Sequence, residues 1–243
     1  MVRIKLFLQN IEQGLGVTKG YYQHILTPFK YNPQNAFRWS VGEKLATYIK
    51  EEDFDAVGLT EVDANIRKSG KTQFEYITDT TGMHGQFFQT YKNFMITQGN
   101  SVLTKWPIIK IIDEKLVGKG QERHISGFTG IIEKKMITVL VTHLALGKKT
   151  RSAQLEHILR IVHNIDTPCI IAGDFNTQNP EELAILVKGG LQDITHAKTY
   201  PSWNPKKCFD HIFISKGISR IDVRAPYIII SDHIGVIAEL ELE

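Results

Sequence analysis

The sequence predicts a mixed α/β domain of layered β-sheets with helices outside. Three observations predict it. Short apolar runs recur along the whole 243-residue chain, as buried strands do. Between them, residues 151–164 carry apolar side chains at helical spacing. No linker-like stretch divides the chain, so residues 1–243 read as one domain. Scaling with mass gives a folded surface of roughly 11,000 Å² against about 40,000 Å² unfolded, enough for a large core.

Composition narrows the class. Apolar residues are 42% and charged residues 23%, which excludes a disordered tail or a low-complexity array. The formal net charge is +3, a mild bias that permits a phosphate-bearing substrate without establishing one. No run of eighteen apolar residues is present, so no membrane span is expected. The start alternates like a strand rather than an export signal, making cytoplasm the expected location. Cys169 and Cys208 sit among apolar, strand-like residues outside any CxxC pair; both are expected to be buried free thiols in a reducing compartment.

The elements follow in order. Val2 to Gln9 alternates as a strand ending at Asn10. Residues 12–31 are rich in Gly and aromatics, including Tyr21 and Tyr22. With Phe29, Tyr31, Phe37 and Trp39 they suggest a rim loop, a substrate lid or packing against the next helix. Ser40, with Glu43 three residues on, suggests a capping box for a helix from Val41 to about Glu52. Phe54 to Leu59 is a short strand ending at Thr60-Glu61. Residues 86–91, 100–104 and 108–112 read as strands, with Phe87-Phe88 as a core pair. His124 to Glu133 and Met136 to Thr142 form a hairpin across Lys134-Lys135. The helix over 151–164 carries Leu155, Ile158, Leu159 and Val162. Pro168 to Ala172 is an apolar strand stopping at Gly173-Asp174-Phe175-Asn176. Asn179-Pro180-Glu181-Glu182 starts a helix that Gly189-Gly190 ends. Phe209 to Ile214 and Val236 to Leu242 are further strands.

One pattern repeats: polar residues end or begin apolar strands. They are Asn10, Glu61, His143, Asp174 with Asn176, Asp210-His211 and Asp232-His233. Strands are rigid supports, and such placement is what a catalytic site requires. Singly, each has a plainer role. Asn10 and Asn176 suit Asx-turns, Glu61 and Asp174 suit rim charges, His143 suits a hydrogen-bonded core, and Asp232-His233 suits a loop.

Together, Asn10, Thr60-Glu61, Gly99 to Leu103, Thr142-His143-Leu144, Gly173 to Asn176, Asp210 to Phe213 and Ser231-Asp232-His233 resemble the endonuclease/exonuclease/phosphatase superfamily. The resemblance runs from residue 2 to about 240. It implies a DNase I-like four-layer α/β/β/α sandwich with two central, mainly antiparallel sheets. It also implies divalent-metal-dependent phosphoester hydrolysis, usually with Mg²⁺. On this resemblance Asn10, Glu61 and Asp232 belong to the metal site. His143 contacts the scissile phosphate, Asp174 and Asn176 orient the nucleophile, and Asp210 orients the catalytic His233. The histidine at 143 departs from the tyrosine of the abasic-site branch. Glu12 departs from the small polar residue of the DNA-repair branch, and suits either a water-bridged metal contact or rim solvation.

The chemistry fits these residue types. Oxygen ligands suit Mg²⁺ or Mn²⁺, which offset the charge of a phosphodiester. No Cys/His spacing supports structural zinc. A neutral His233 oriented by Asp210 is the expected base for the attacking water. Asp174 is the competitor, its proton affinity expected to fall beside a metal. Arg151, Lys148 and Trp203 are candidate substrate contacts, Arg151 and Gln154 also being placed to brace the site loops. The expected activity is a phosphodiesterase or nuclease, with nucleic acid the leading substrate. A lipid or sugar phosphoesterase and a catalytically inactive nuclease-like binding protein are the alternatives. No protein partner is implied.

Overall fold

The computed structural model describes residues 1–26, 36–65, 70–93 and 96–243. Its strands and helices are β1 (Val2–Asn10), α1 (Ala36–Glu52), β2 (Ala56–Asp63), α2 (Gln73–Thr81), β3 (His84–Lys92), β4 (Thr97–Thr104), β5 (Ile108–Lys115), β6 (His124–Ile132), β7 (Lys135–His143), α3 (Lys148–Val162), β8 (Cys169–Asp174), α4 (Pro180–Lys188), β9 (Gln192–Asp193), β10 (Asp210–Ile214), β11 (Ile218–Arg224) and β12 (Val236–Leu242). They form two six-stranded sheets, ordered β11-β12-β1-β2-β4-β3 and β5-β6-β7-β8-β10-β9. Each sheet is antiparallel except for one central parallel pair, β1 with β2 and β7 with β8.

The strand period of two explains the layers. Ile4, Leu6 and Leu8 of β1 face the second sheet, meeting Phe128, Val139, Val141 and Ile170 in a shared core. Phe7 points the other way, onto Val41, Leu45 and Ile49 of α1. On the far side, Leu155 and Ile158 of α3 and Leu183 and Leu186 of α4 cover Leu140, Ile171 and Phe213. The result is the expected four-layer α/β/β/α sandwich. Gly58 allows the sheets to approach, because a Cβ there would lie 2.6 Å from Val141 Cγ2. The accessible surface, 11,056 Å², agrees with the size scaling.

Several boundaries differ from expectation. Helix α1 begins at Ala36, so Ser40 lies inside it and is not its first cap. The earlier start places Arg38 where it forms a fully buried ion pair with Asp63, at 2.9 Å; this tertiary contact overrides the local capping signal. Helix α2 was not anticipated, although Thr72 and Glu75 form a complete capping box at its start. Strand β11 is mostly exposed and lacks an apolar pattern. The β6–β7 turn falls at Glu133-Lys134, both with positive φ, one residue earlier than read. Phe87 and Phe88 point to opposite faces: Phe88 enters the inter-sheet core and Phe87 packs near α2. Both cysteines are free, but only Cys169 is buried; Cys208 is half-buried. Of the aromatic lid residues, Phe29 and Tyr31 and the Phe37 side chain lie outside the described set, whereas Tyr21 and Tyr22 are exposed.

Candidate active site

The site forms where the two parallel pairs end. In the first sheet Asn10 is the last residue of β1, opposite Thr60. In the second, His143 ends β7 and pairs with Asp174, which ends β8. Gly173 makes this junction tight: a Cβ there would sit 1.9 Å from Thr142 O, so only glycine brings the two strand ends this close. Glu61 lies inside β2 rather than beyond it. Its φ is 57°, and the pairing of β2 with β4 shifts register between Leu59 and Val62. This bulge re-aims the glutamate toward the cleft.

Three of the expected residues converge on one oxygen of a fourth. Asp174 Oδ2 accepts from Asn10 Nδ2 at 3.1 Å, and lies 3.6 Å from His143 Nε2 and 3.7 Å from His233 Nε2. Glu61 Oε1 completes the ring, 3.3 Å from Asn10 Nδ2 and 3.7 Å from His143 Nδ1. His233 Nδ1 is held by Asp210 Oδ2 at 2.7 Å. Ser231 fastens this loop to the first sheet, its Oγ donating to Asn10 O at 2.5 Å and accepting from His233 N at 3.1 Å. Asn176, at a φ of 52°, donates its backbone N–H to Asp174 Oδ1 and its side-chain amide to Leu144 O, both at 2.9 Å. Asp174, not Asn176, therefore forms the Asx-turn, and the Asn176 side chain ties β8 to the loop after His143. Glu61, His143, Asp174, Asn176, Asp232 and His233 all line one cavity of about 590 Å³.

The charges explain its electrostatics. Burial pushes the Asp174 carboxyl up to about 6, with Asp210 and Glu61 adding to the rise against His233. Burial likewise raises Asp232 to about 7, reinforced by Glu61, Asp174 and Asp210. Burial alone would favour neutral His233, but Asp210, Asp174 and Asp232 outweigh it and raise its pKa well above the usual value. His143 goes the other way: burial, then Arg123 and His233, push it well below the usual range, so it is neutral.

This donor set fits a divalent cation. Asp174, Asp210 and His233 have potential ligand atoms within 4.8 Å of one another. Because Asp210 Oδ2 and His233 Nδ1 bond each other, the acidic atoms left to an ion are Asp174's carboxylate and Asp210 Oδ1, with His233 Nε2 uncommitted beside them. Asp210 Oδ1 is buried without a hydrogen-bond partner, as an acceptor reserved for a cation would be. Glu61 and Asp232 add carboxylates to the same cavity. The Asn10 amide oxygen accepts from Glu12 N at 3.0 Å, closing an Asx-turn, and its nitrogen bridges Glu61 and Asp174.

Other expectations are also corrected. Arg151 is buried and bidentate to Glu182, at 2.8 and 3.0 Å, while Nη1 donates to Ala145 O and Leu146 O. With its donors engaged, it braces the loop after His143 and does not face substrate. Gln154 joins it, accepting from Ala145 N at 2.9 Å. Lys148 and Trp203 do not line the cavity; Lys148 is exposed, and Trp203 packs edge-on against Tyr21. Glu12 is not a solvated rim charge: it is buried, and its Oε2 accepts from Val17 N at 3.0 Å. The cavity's cations are instead Arg123 and Lys207. Arg123 is close enough for Glu61 and Asp174 to support its charge against burial. Tyr200 also lines the cavity, and its ring lies 4.9 Å from that of His233.

Fold and site together support metal-dependent phosphoesterase chemistry. The family pattern described as the endonuclease/exonuclease/phosphatase family matches residues 39–233, and the chain belongs to that family. No curated protein matches it in sequence. Among solved structures, an endonuclease/exonuclease/phosphatase from Bacteroides vulgatus is 18% identical, with a TM-score of 0.74 over 100% of both chains. A mannosyl-6-phosphatase from Bacteroides thetaiotaomicron is 16% identical, with a TM-score of 0.69 over 98% of this chain and 100% of its own. TDP2 from C. elegans is 16% identical, with a TM-score of 0.70 over 98% of this chain and 75% of its own. At these identities the likeness speaks to the fold.

Proposed function

We propose that this chain hydrolyses a phosphoester by water attack with Mg²⁺ or Mn²⁺ as cofactor, a phosphodiester being the first class to test. The observation that carries this reading is the convergence of Asn10, His143 and His233 on Asp174 Oδ2, at 3.1 to 3.7 Å. Glu61, Asp174, Asp210 and Asp232 would hold the ion. A bound divalent ion supplies Lewis-acid polarisation and offsets the buried acids, which lowers the proton affinity of His233 toward the range of a base.

The chain's own residues then divide the work. Asp210 fixes the His233 ring so that Nε2 faces the cavity and takes the proton of the attacking water. Asp174, opposite Nε2, orients that water. His143, neutral, donates a hydrogen bond to phosphate rather than a charge. Arg123 and Lys207 supply positive charge to the non-bridging oxygens. Asn176 fixes the loop that keeps Asp174 in place.

A small phosphoester is the second reading. A cavity of about 590 Å³ has the size of a small-molecule site, and one structurally similar protein is named a mannosyl-6-phosphatase. The test is a panel of duplex DNA, RNA, sphingomyelin, phosphoinositide, hexose phosphates and bis(4-nitrophenyl) phosphate. Each is assayed after chelation and again with Mg²⁺ or Mn²⁺ restored. Metal-restored turnover is the expected result. Turnover that persists in chelator, or none on any substrate with metal, overturns the reading.

A further inference from the structure

Two side chains in the cavity wall have no part in the steps above. Gln13 and Gln98 are 8% and 7% exposed, and both line the catalytic cavity. Gln13 Oε1 is buried with no hydrogen-bond partner. A buried acceptor left unpaired costs about 1–3 kcal/mol, so Gln13 Oε1 calls for a functional account, and Gln98 adds a second amide to the same wall.

Their placement is built rather than incidental. Gln13 sits at a φ of 54°, a left-handed conformation unfavourable for a long side chain. Arg38 holds it there, donating from Nε to Gln13 O at 2.9 Å. The same guanidinium pairs with Asp63 through Nη2, with both side chains fully buried. Asp63 in turn stands opposite Gln98 in the β2–β4 ladder. The buried ion pair, two residues beyond Glu61, thus holds the Gln13 backbone and stands beside Gln98 in the ladder.

We propose that Gln13 and Gln98 are specificity residues that hydrogen-bond hydroxyl groups on the part of the substrate attached to the phosphate. This rests on the phosphoesterase reading of the cavity. The chemistry favours hydroxyls: an amide offers one donor group and one acceptor without charge, and a hydroxyl offers the complement. Phosphate oxygens only accept, and they have Arg123 and Lys207. An acyl or aryl group would leave both amides unpaired, and sites built to pair a hydroxyl discriminate strongly against such analogues. The substrate class is a small sugar or polyol phosphoester.

The experiment measures kcat/KM with Mn²⁺ for hexose phosphates, inositol phosphate and glycerophosphodiesters against phenyl phosphate and bis(4-nitrophenyl) phosphate. The wild-type chain is expected to favour a hydroxylated substrate. Gln13→Leu and Gln98→Leu should each lower the hydroxylated-to-aryl ratio about ten-fold, and the double variant about a hundred-fold. If a leucine variant fails to fold, Gln13→Asn or Gln98→Asn withdraws the amide by one methylene and should lower the ratio in the same direction. A ratio unchanged within about two-fold, a wild-type preference for the aryl esters, or turnover of RNA alone among hydroxylated substrates overturns the proposal while leaving the phosphoesterase intact. Absence of metal-dependent turnover on both classes overturns the underlying reading as well.

Discussion

His211 and His233 invite comparison because they start from the same arrangement. Each is a buried imidazole whose Nδ1 meets a carboxylate, Asp193 at 2.8 Å and Asp210 at 2.7 Å. They differ at Nε2. In His211 it donates to two carbonyls, Thr177 O at 3.0 Å and Cys208 O at 3.1 Å. In His233 it faces Asp174 Oδ2 at 3.7 Å, beyond hydrogen-bond reach, on the wall of the cavity. Burial would favour neutral His211, but its bonds to Asp193 and Cys208 outweigh that and raise the pKa to about 10. Burial and a carboxylate partner are thus shared by a structural clamp and by the proposed base. What separates them is one nitrogen left uncommitted at the cavity.

The largest expected effect comes from removing that nitrogen. His233→Ala should lower kcat of the folded fraction about 10³-fold, the scale of a general base, and it also strips Asp210 of its ring partner. A loss below ten-fold would move the base role to Asp174. Asp210→Asn comes next. It keeps the shape but perturbs the tautomer and removes the carboxylate partner of the ring, so kcat should fall about 10²-fold or more. A pH–rate profile shifted relative to wild type would show that Asp210 acts through His233.

The contrast between these histidines also marks what the sequence makes legible. Asn10, His143, Asp174 and Asp210 stand at strand ends, where an apolar run announces its own boundary, and their convergence follows from strand direction. Asp232 and His233 come with the family motif. Gln13 and Arg123 carry no such signal, because one sits in a left-handed turn and the other in the β5–β6 connection. Glu61 was visible as a residue, but the bulge that aims it was not, since bulges depend on the facing strand. His211 lay in a quoted motif, yet its clamp role needs Asp193, Thr177 and Cys208 brought together by the fold. Arg151 shows the reverse error: a cation near the site in sequence whose partner, Glu182, appears only in three dimensions.

His211→Ala should break the comparison on the stability side. It strips a buried cation from Asp193 and leaves two carbonyls without their donor. The cost should be about 3 kcal/mol, which for a chain of this size lowers the melting temperature by about 6–12 °C. The kcat of the folded fraction should fall less than ten-fold. A larger loss of kcat with little change in melting temperature would place His211 with His233 after all.

The smallest and most specific effect is the pH dependence of the clamp. A folded pKa of about 10 stands above the unfolded value of about 6.5. The clamp's stabilisation is therefore complete below about pH 6.5, declines as pH rises above it, and is gone past about pH 10. His233 also titrates differently in the folded chain, so the informative quantity is the gap between wild type and Asp193→Asn, measured by urea unfolding in chelator. Removing the carboxylate should cost about 1–2 kcal/mol at pH 7, and the gap should close as pH approaches 10. A gap that stays constant between pH 7 and 10 would mean that His211 holds its two carbonyls as a neutral ring. The charge on the clamp would then be wrong, although its geometry would stand.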